Sequence, residues 1–502
     1  METTSPNPID TTSPSNATTA TASSTIPRVI GLYGIPSSGK SYLMTKLKQS
    51  LGETEFAYFE GSDVIDAVTD GGLAAFKRLD IHEQNRIRTL AIGRIRATCG
   101  QSGKTGIVTG HFMFWDDEET ISDEVVRVCT RADLDTYTHI LYVNASVDVD
   151  VTAKQRVEDT KRQRSNVSIE HLRRWQATEI QELRGLCREH GILFATIYPN
   201  LESKLTSLIR DFHIHNESHN NSVAEERFDK ILAPNYDALQ TVLFFDADKT
   251  LAVSDASTDF WKTIHETKGK EDPLRELFSS PLKYSYTAFQ QGMLSYEEVT
   301  NDDEFDEICE KVAVRTQLYP QMSSLLRQAG NYNHVCPVIV TCGLRRVWEK
   351  IVAKAGLADV VKVVGGSRLD DGFVVTPTRV HGAYTWAFGD SPVDLRMLIA
   401  AHKAIVVVGE EKGRSKSMDH ELLIAMVSSG LQARQVLLPN ESSSPRLDVA
   451  ELPVVNIADK SFLDSLYHAT DSNAAKLLEP RAAKLGFNPG KLSRILLDLK
   501  HF

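Results

Sequence analysis

No stretch of the 502 residues approaches the roughly 18 consecutive apolar positions of a membrane-spanning helix, so no membrane partner is expected. Cysteine is scarce, with six in all at 99, 129, 187, 309, 336 and 342, and no two are spaced as CxxC. Zinc ribbons and thioredoxin-like redox motifs therefore find no support. A few scattered thiols fit the reduced, buried cysteines of an intracellular protein, and the expected location is the cytoplasm. The first 26 residues contain neither Lys nor Arg but 13 Ser or Thr. They lack the basic start and apolar centre of a signal peptide and the arginines of a mitochondrial presequence, and read as a disordered polar tail. Positive charge is in deficit: 56 Lys and Arg against 67 Asp and Glu leave a net charge of −11. That balance argues against a general nucleic-acid binder. The remaining composition, 41% hydrophobic and 25% charged, is ordinary for a globular protein.

The ordered chain is expected to start near Arg28. Apolar, strand-like runs at 29–33, 55–59, 106–110, 139–143 and 193–198 alternate with charged, helix-like stretches. This is the pattern of βαβ units and a parallel sheet. A second series begins at 242–245 and continues at 337–341, 360–364, 385–388 and 404–408. The expected fold class is α/β, with two doubly wound parallel-sheet domains, the first over 27–212 and the second over 238–436. The polar run HIHNESHNN and its continuation, 213–237, read as a linker. Cutting there is expected to leave two soluble pieces. The insert 252–336, rich in helix formers and aromatics, reads as a helical cap. Residues 437–502 read as a C-terminal tail.

Gly34-Ile35-Pro36-Ser37-Ser38-Gly39-Lys40-Ser41 fits GxxxxGK[ST] between a strand and a helix-like stretch, the context that this motif requires. Glycines let successive backbone N–H groups point at phosphate oxygens. Lys40 would neutralise the β- and γ-phosphates of ATP or another nucleoside triphosphate, and the Ser41 hydroxyl would ligate Mg²⁺. The bland reading is an ordinary Ser/Gly loop. Beyond the loop the chain resembles small P-loop kinases. That resemblance makes Asp63, just past the second strand, a candidate base towards an acceptor hydroxyl; capping of the next helix is the plain alternative. It also makes Arg156, Arg162 and Arg164 candidate lid arginines on the transferring phosphate, against the plain reading of a solvated charged face. Asp116 and Asp117, after the third strand, could face Mg²⁺ through water.

Phe244-Phe245-Asp246-Ala247-Asp248-Lys249-Thr250-Leu251 is an apolar strand ending in DxDxT. It resembles the haloacid dehalogenase (HAD) superfamily of phosphatases. In such a site Asp246 would attack phosphorus and Asp248 would act as general acid, then base. Mg²⁺ among the carboxylates would offset their charge. Thr341, closing a strand, would hold a phosphate oxygen, and Asp390 and Asp394 in Gly389-Asp390-Ser391-Pro392-Val393-Asp394 would complete the metal site with Asp246 and Asp248. The placement of the cap is that of the phosphoserine-phosphatase-like branch. One element departs from the superfamily pattern. The lysine expected before the acidic motif is missing, since 363–389 hold no lysine and only Arg368 and Arg379 as strong bases. Lys350, Lys354 and Lys362 are the substitutes to consider.

The order of domains, the segment WAFGDSPVDL and His468–Leu478 resemble a fungal fusion family. In that family a P-loop kinase-like domain and a HAD domain precede a domain similar to uracil phosphoribosyltransferase. The 24 residues after Leu478 are too few for that third domain, so it is expected to be absent and the tail to be the remnant of a linker to it. The resemblance implies a bifunctional enzyme: an ATP-dependent kinase for a small hydroxyl compound such as a nucleoside or nucleotide, joined to a phosphomonoesterase, with a place in pyrimidine salvage. Two other readings compete with it. One is an end-healing polynucleotide kinase–phosphatase, which the acidic charge counts against. The other is a non-catalytic nucleotide-binding regulator, which the missing lysine favours.

Overall fold

A computed structural model describes residues 27–115, 125–144, 167–198, 202–235, 238–366, 368, 383–439 and 443–467. Two parallel sheets organise them. The first contains β1 (Val29–Tyr33), β2 (Phe56–Glu60), β3 (Thr105–Thr109), β4 (His139–Val143) and β5 (Leu193–Ile197) in the order β2-β3-β1-β4-β5. The second contains β6 (Thr241–Phe245), β7 (Val335–Thr341), β8 (Lys362–Gly365), β9 (Tyr384–Gly389), β10 (Lys403–Val408) and β11 (Ala433–Leu437) in the order β11-β10-β9-β6-β7-β8. All pairings between these strands are parallel. Parallel sheets carry helices on both faces, so their central strands are apolar throughout. Every residue of β1, β4 and β6 is accordingly buried.

The two-sheet α/β class expected from the sequence is present, but three expected boundaries shift. The supposed linker contains the helix Glu217–Leu232, which buries Asn220, Ala224, Phe228 and Leu232. Phe228 and Leu232 pack with Val242 and Phe244 of β6, so this helix belongs to the second unit. The cap is shorter than 252–336. An antiparallel bridge between Ala252 and Leu318 closes its neck. The helix Pro320–Ala329, with Met322, Leu325 and Leu326 buried, packs on β7 and serves as the crossover that a parallel strand needs. Residues just past 437 are not a tail: Leu452, Ile457, Phe462, Leu466 and Tyr467 are buried in the second unit, and the Gln435 side chain bonds Leu447 O and Leu452 O. Residues 468–502 lie outside the described residues, as does the segment 468–478 that carries part of the resemblance.

The two units also share a core. The cap helix Tyr286–Val299 lies along β5, the edge strand of the first sheet. Its Leu294, 1% exposed, packs into the same cluster as Val143, Leu193, Ile197 and Leu205. Cutting at the polar run, where two soluble pieces are expected, would strip the β5 edge of its cover.

Candidate functional site

Each sheet presents a loop after its central strand, and the two loops share an uncommon backbone feature. Three non-glycine residues have positive φ among the described residues, and two of them are Ser37 (φ 68°) and Lys249 (φ 60°) in these loops. Residues held in that region cost about 1–3 kcal/mol and cluster at ligand sites.

In the first unit, β1 feeds residues 34–39, and the helix Lys40–Leu51 follows with no side-chain cap on its first turn. Its uncapped N–H groups face the loop and favour an anion. Gly39 adopts φ 91°. Gly34 cannot be replaced without contact, since a Cβ there would stand 2.8 Å from Ser38 Oγ and 2.9 Å from Val143 O. Lys40, 8% exposed, folds back over the loop and donates to Gly34 O (2.6 Å) and Ile35 O (2.9 Å). These carbonyls hold the ammonium where a phosphate would take it over. The loop thus meets the requirements for a nucleotide phosphate.

The acid beside this loop is not Asp63. The helix Gly61–Val68 starts immediately after β2, turning Asp63 to the exposed surface, where it accepts from Ser62 Oγ at 3.4 Å. Glu60, the last residue of β2, instead points between strands. Its Oε2 accepts from Thr109 Oγ1 at 2.6 Å and from Ser41 Oγ at 3.5 Å. Glu60 is not among the acids expected from the sequence, although its place at the C-terminal end of a strand is the signal that marks it. Arg156, Arg162, Arg164, Asp116 and Asp117 lie outside the described residues.

Behind the loop lies a second acid that the sequence did not reveal. Glu179, fully buried in the helix Ile169–His190, accepts from Tyr142 Oη (2.6 Å), Trp175 Nε1 (3.1 Å) and Met113 N (3.2 Å). Burial pushes its carboxyl up to about 7, while these donors and the charge of Lys40 oppose the rise.

In the second unit, β6 and β9 run side by side, and Asp246 N donates to Phe388 O at 2.8 Å. That pairing carries Asp246 next to Asp390 and Asp394. Carboxylate oxygens of Asp246, Asp390 and Asp394 all lie within 4.8 Å of one another. Such a cluster of hard oxygen donors suits Mg²⁺. Asp394 is fixed by Asp390 N (3.1 Å), Ser391 N (2.9 Å) and Ser391 Oγ (2.9 Å), all donating to its Oδ2. Burial, then the Asp394 charge, raises the Asp390 carboxyl to about 7. Burial raises Asp394 to about 6 against the bonds from Ser391 and Asp390. Asp246 is raised well above the ordinary carboxylate range, by burial and by the charges of Asp394, Asp390 and Asp248. Like charges crowded in this way repel until a cation joins them.

Asp248 is not part of the three-acid cluster, in contrast to its expected place among the ligands. Its Oδ1 accepts from Ala256 N (2.7 Å) and Trp348 Nε1 (3.3 Å), which aim it at the cap side. Thr341 does lie at the site: its Oγ1 accepts from Gly343 N at 2.9 Å. A Cβ on Gly343 would stand 2.7 Å from Asp248 Oδ2 and 3.3 Å from Thr341 Oγ1, so only glycine leaves the space between them open.

Every substitute lysine is engaged elsewhere. Lys350 pairs with Asp306 and Glu310, Lys354 donates to Val314 O, and Lys362 reaches Ala358 O. Arg368 is buried against Glu297 and Thr300 of the cap, and Arg379 lies outside the described residues. The cations that act on Asp390 are Lys249 and Arg446. Arg446 is anchored to Asp419 (2.8 Å) and Ser415 O (3.0 Å), with Nη2 3.5 Å from Asp390 O.

Comparison with known proteins agrees with this division. Residues 33–173 match the family model of an AAA domain, and residues 243–398 match that of the haloacid dehalogenase-like hydrolases. The chain is similar to several solved structures. One is a protein with unknown function from Bordetella pertussis Tohama I, at 16% identity over 39% of this chain and 98% of that one, with a TM-score of 0.29. A phospho-aspartyl intermediate analogue of phosphoserine phosphatase has 16% identity, 34% and 87% coverage and a TM-score of 0.25. L-2-haloacid dehalogenase from Xanthobacter autotrophicus with covalently bound chloropropionic acid has 16% identity, 39% and 84% coverage and a TM-score of 0.24. No curated protein matches it. The chain therefore joins a P-loop domain to a HAD domain, and no helix among the described residues is long and apolar enough to cross a membrane.

Proposed function

We propose that the chain is a bifunctional phosphate-handling enzyme of the cytoplasm. In this reading the P-loop domain transfers the γ-phosphate of ATP to a small hydroxyl compound of nucleoside or nucleotide type, in keeping with pyrimidine salvage, and the HAD domain hydrolyses a phosphomonoester. The observation that carries the proposal is the pairing of two phosphate-type loops, one on each parallel sheet, each with its own acids.

In the first site Lys40 and the backbone N–H groups of 34–41 would hold the β- and γ-phosphates. Glu60, fixed by Thr109, would take the proton of the acceptor hydroxyl or orient it. In the second site the Asp246 carboxylate would attack phosphorus, forming a P–O bond as the bond to the leaving alcohol breaks. Asp248 would give that alcohol its proton. Asp248 would then accept a proton from a water that attacks the aspartyl-phosphate, releasing phosphate and restoring Asp246. Thr341 Oγ and Gly343 N would hold the phosphate oxygens. Asp246, Asp390 and Asp394 would hold Mg²⁺, which supplies charge neutralisation there, as it would beside Ser41.

The positions of Lys350, Lys354 and Lys362 favour a second reading for the HAD site alone: it binds metal and phosphate but turns over slowly. The test is a panel of nucleosides, nucleotides and phosphomonoesters, with ATP and Mg²⁺, following ADP and phosphate separately. ADP formed with one class of acceptor supports the first site. Phosphate released from a small ester supports the second, and ester binding without release supports the slow reading. Activity confined to polynucleotide ends would replace the proposal with the end-healing reading.

A further inference from the structure

The cap helix Tyr286–Val299 has two working faces. Tyr296 packs with Phe260, Trp261 and Phe305 in the core of the second unit. Gln291, Leu294 and Glu298 lie at helical spacing on another face and meet β5. The Gln291 amide behaves like a strand: Nε2 donates to Phe194 O and Oε1 accepts from Phe194 N, both at 2.8 Å. Glu298 Oε1 accepts from Thr196 N at 2.9 Å, two residues along the same edge, and its Oε2 pairs with Arg184 at 2.8 Å. Edge groups that would otherwise face water are satisfied by cap side chains.

Between these faces stands Glu297, 8% exposed. Its Oε2 meets Lys204 of the first unit at 3.1 Å and Arg368 of the second at 2.7 Å. Lys204 also donates to Glu297 O. Arg368 follows β8, whose Gly365 is in register with Thr341 of the HAD site, and it also donates to Thr300 Oγ1 at 3.0 Å. On the other side, Lys204 lies in the first turn of the helix Glu202–Ile214. That helix packs through Leu205 and Leu208 with Leu43 and Leu47 of the helix that opens from the phosphate loop. A continuous physical path thus runs from the phosphate loop to the HAD acids, through one helix that both units hold.

We propose that the P-loop unit clamps the HAD cap through Gln291, Leu294, Glu297 and Glu298, so that a nucleotide at the first site governs how readily the cap lifts from Asp246, Asp390 and Asp394. The coupling rests on the nucleotide-binding reading of the first site; the clamp itself does not. The cap cannot swing away from the HAD acids as a free lid. It either carries β5 with it or breaks the edge bonds.

The test is amide exchange on the full chain, wild type and Gln291→Ala/Glu298→Ala, each with and without ATP and Mg²⁺. Without nucleotide, the double variant is expected to exchange about tenfold faster across 286–299 and β5, because local opening follows the bonds that close it. With ATP, exchange over 34–51 should slow in both proteins, but over 286–299 in the wild type only. Equal exchange across 286–299 in the two metal-free and nucleotide-free proteins would overturn the clamp. Protection of 34–51 without any change at 286–299 in the wild type would overturn the coupling while leaving nucleotide binding intact. ATP protection nowhere would sink the nucleotide reading and the coupling together, with the clamp still decided by the first comparison. If the double variant does not fold, Glu298→Gln alone, which removes the Arg184 ion pair and keeps the amide acceptor, should show the same pattern at smaller amplitude, and no change at 286–299 there would overturn the clamp.

Discussion

Replacing Asp390 by Asn should stabilise the metal-free protein and abolish its response to Mg²⁺. The carboxyl loses its proton near 3.8 when unfolded and near about 7 when folded. Between those values the unfolded chain binds fewer protons, so the metal-free fold loses stability as the pH rises. The loss is absent below 3.8 and complete above about 7. At about 1.4 kcal/mol per unit, the cost at pH 8 is at most about 4 kcal/mol. Asp390→Asn removes this cost and also relieves Asp246, whose own rise it helps to cause. Denaturant unfolding at pH 8 in EDTA should therefore place the variant about 2–4 kcal/mol above wild type, with the gap narrowing towards pH 4. Mg²⁺ at 100 times its Kd should stabilise wild type by about 2.7 kcal/mol and the variant far less. A variant less stable than wild type at pH 8 without metal, or equally stabilised by Mg²⁺, would refute the reasoning.

Three further outcomes follow from the same geometry. Lys40→Ala should lose the thermal stabilisation that ATP and Mg²⁺ give wild type; equal stabilisation of both would remove the phosphate role from 34–41. Glu60→Gln should keep nucleotide binding but lower ADP formation by about 10²–10⁴-fold, whereas Asp63→Asn should change it little; the reverse pattern would return the base to Asp63. Leu294→Ala, although in the cap, should lower the stability of the first unit by about 2–5 kcal/mol, read by proteolysis of peptides from 27–212. Destabilisation confined to peptides from 238–467 would contradict the shared core.

What the sequence discloses is what local chemistry dictates. GxxxxGKS and DxDxT are contiguous, their function needs their spacing, and both sit after buried strands as expected. Thr341 closes β7, and Asp390 and Asp394 stand in one contiguous motif just past the end of β9, so the same kind of local reading reaches them. Glu60 was hidden by a choice between two acids three residues apart, decided by where β2 ends and the next helix begins. The helix Glu217–Leu232 looked like a linker because of its polar first turns. Asn220, Ala224, Phe228 and Leu232 nevertheless recur every four residues, a helical period that the composition of HIHNESHNN obscures. The cap–β5 contact was illegible in principle: Gln291, Glu297 and Glu298 look like any solvated face until the edge strand they cover is known. Spacing raises the lysine question, and only the fold shows Lys350, Lys354 and Lys362 bound to other partners.

The central claim is that one chain carries two distinct phosphate chemistries, and the most direct measurement follows ADP and inorganic phosphate in parallel for wild type, Lys40→Ala and Asp246→Asn on the same acceptor and ester panel. The account predicts that Lys40→Ala abolishes ADP formation and leaves ester hydrolysis measurable, and that Asp246→Asn abolishes hydrolysis and leaves ADP formation. Both activities lost together in either variant, with the fold intact, or neither activity in wild type on any compound, would contradict it.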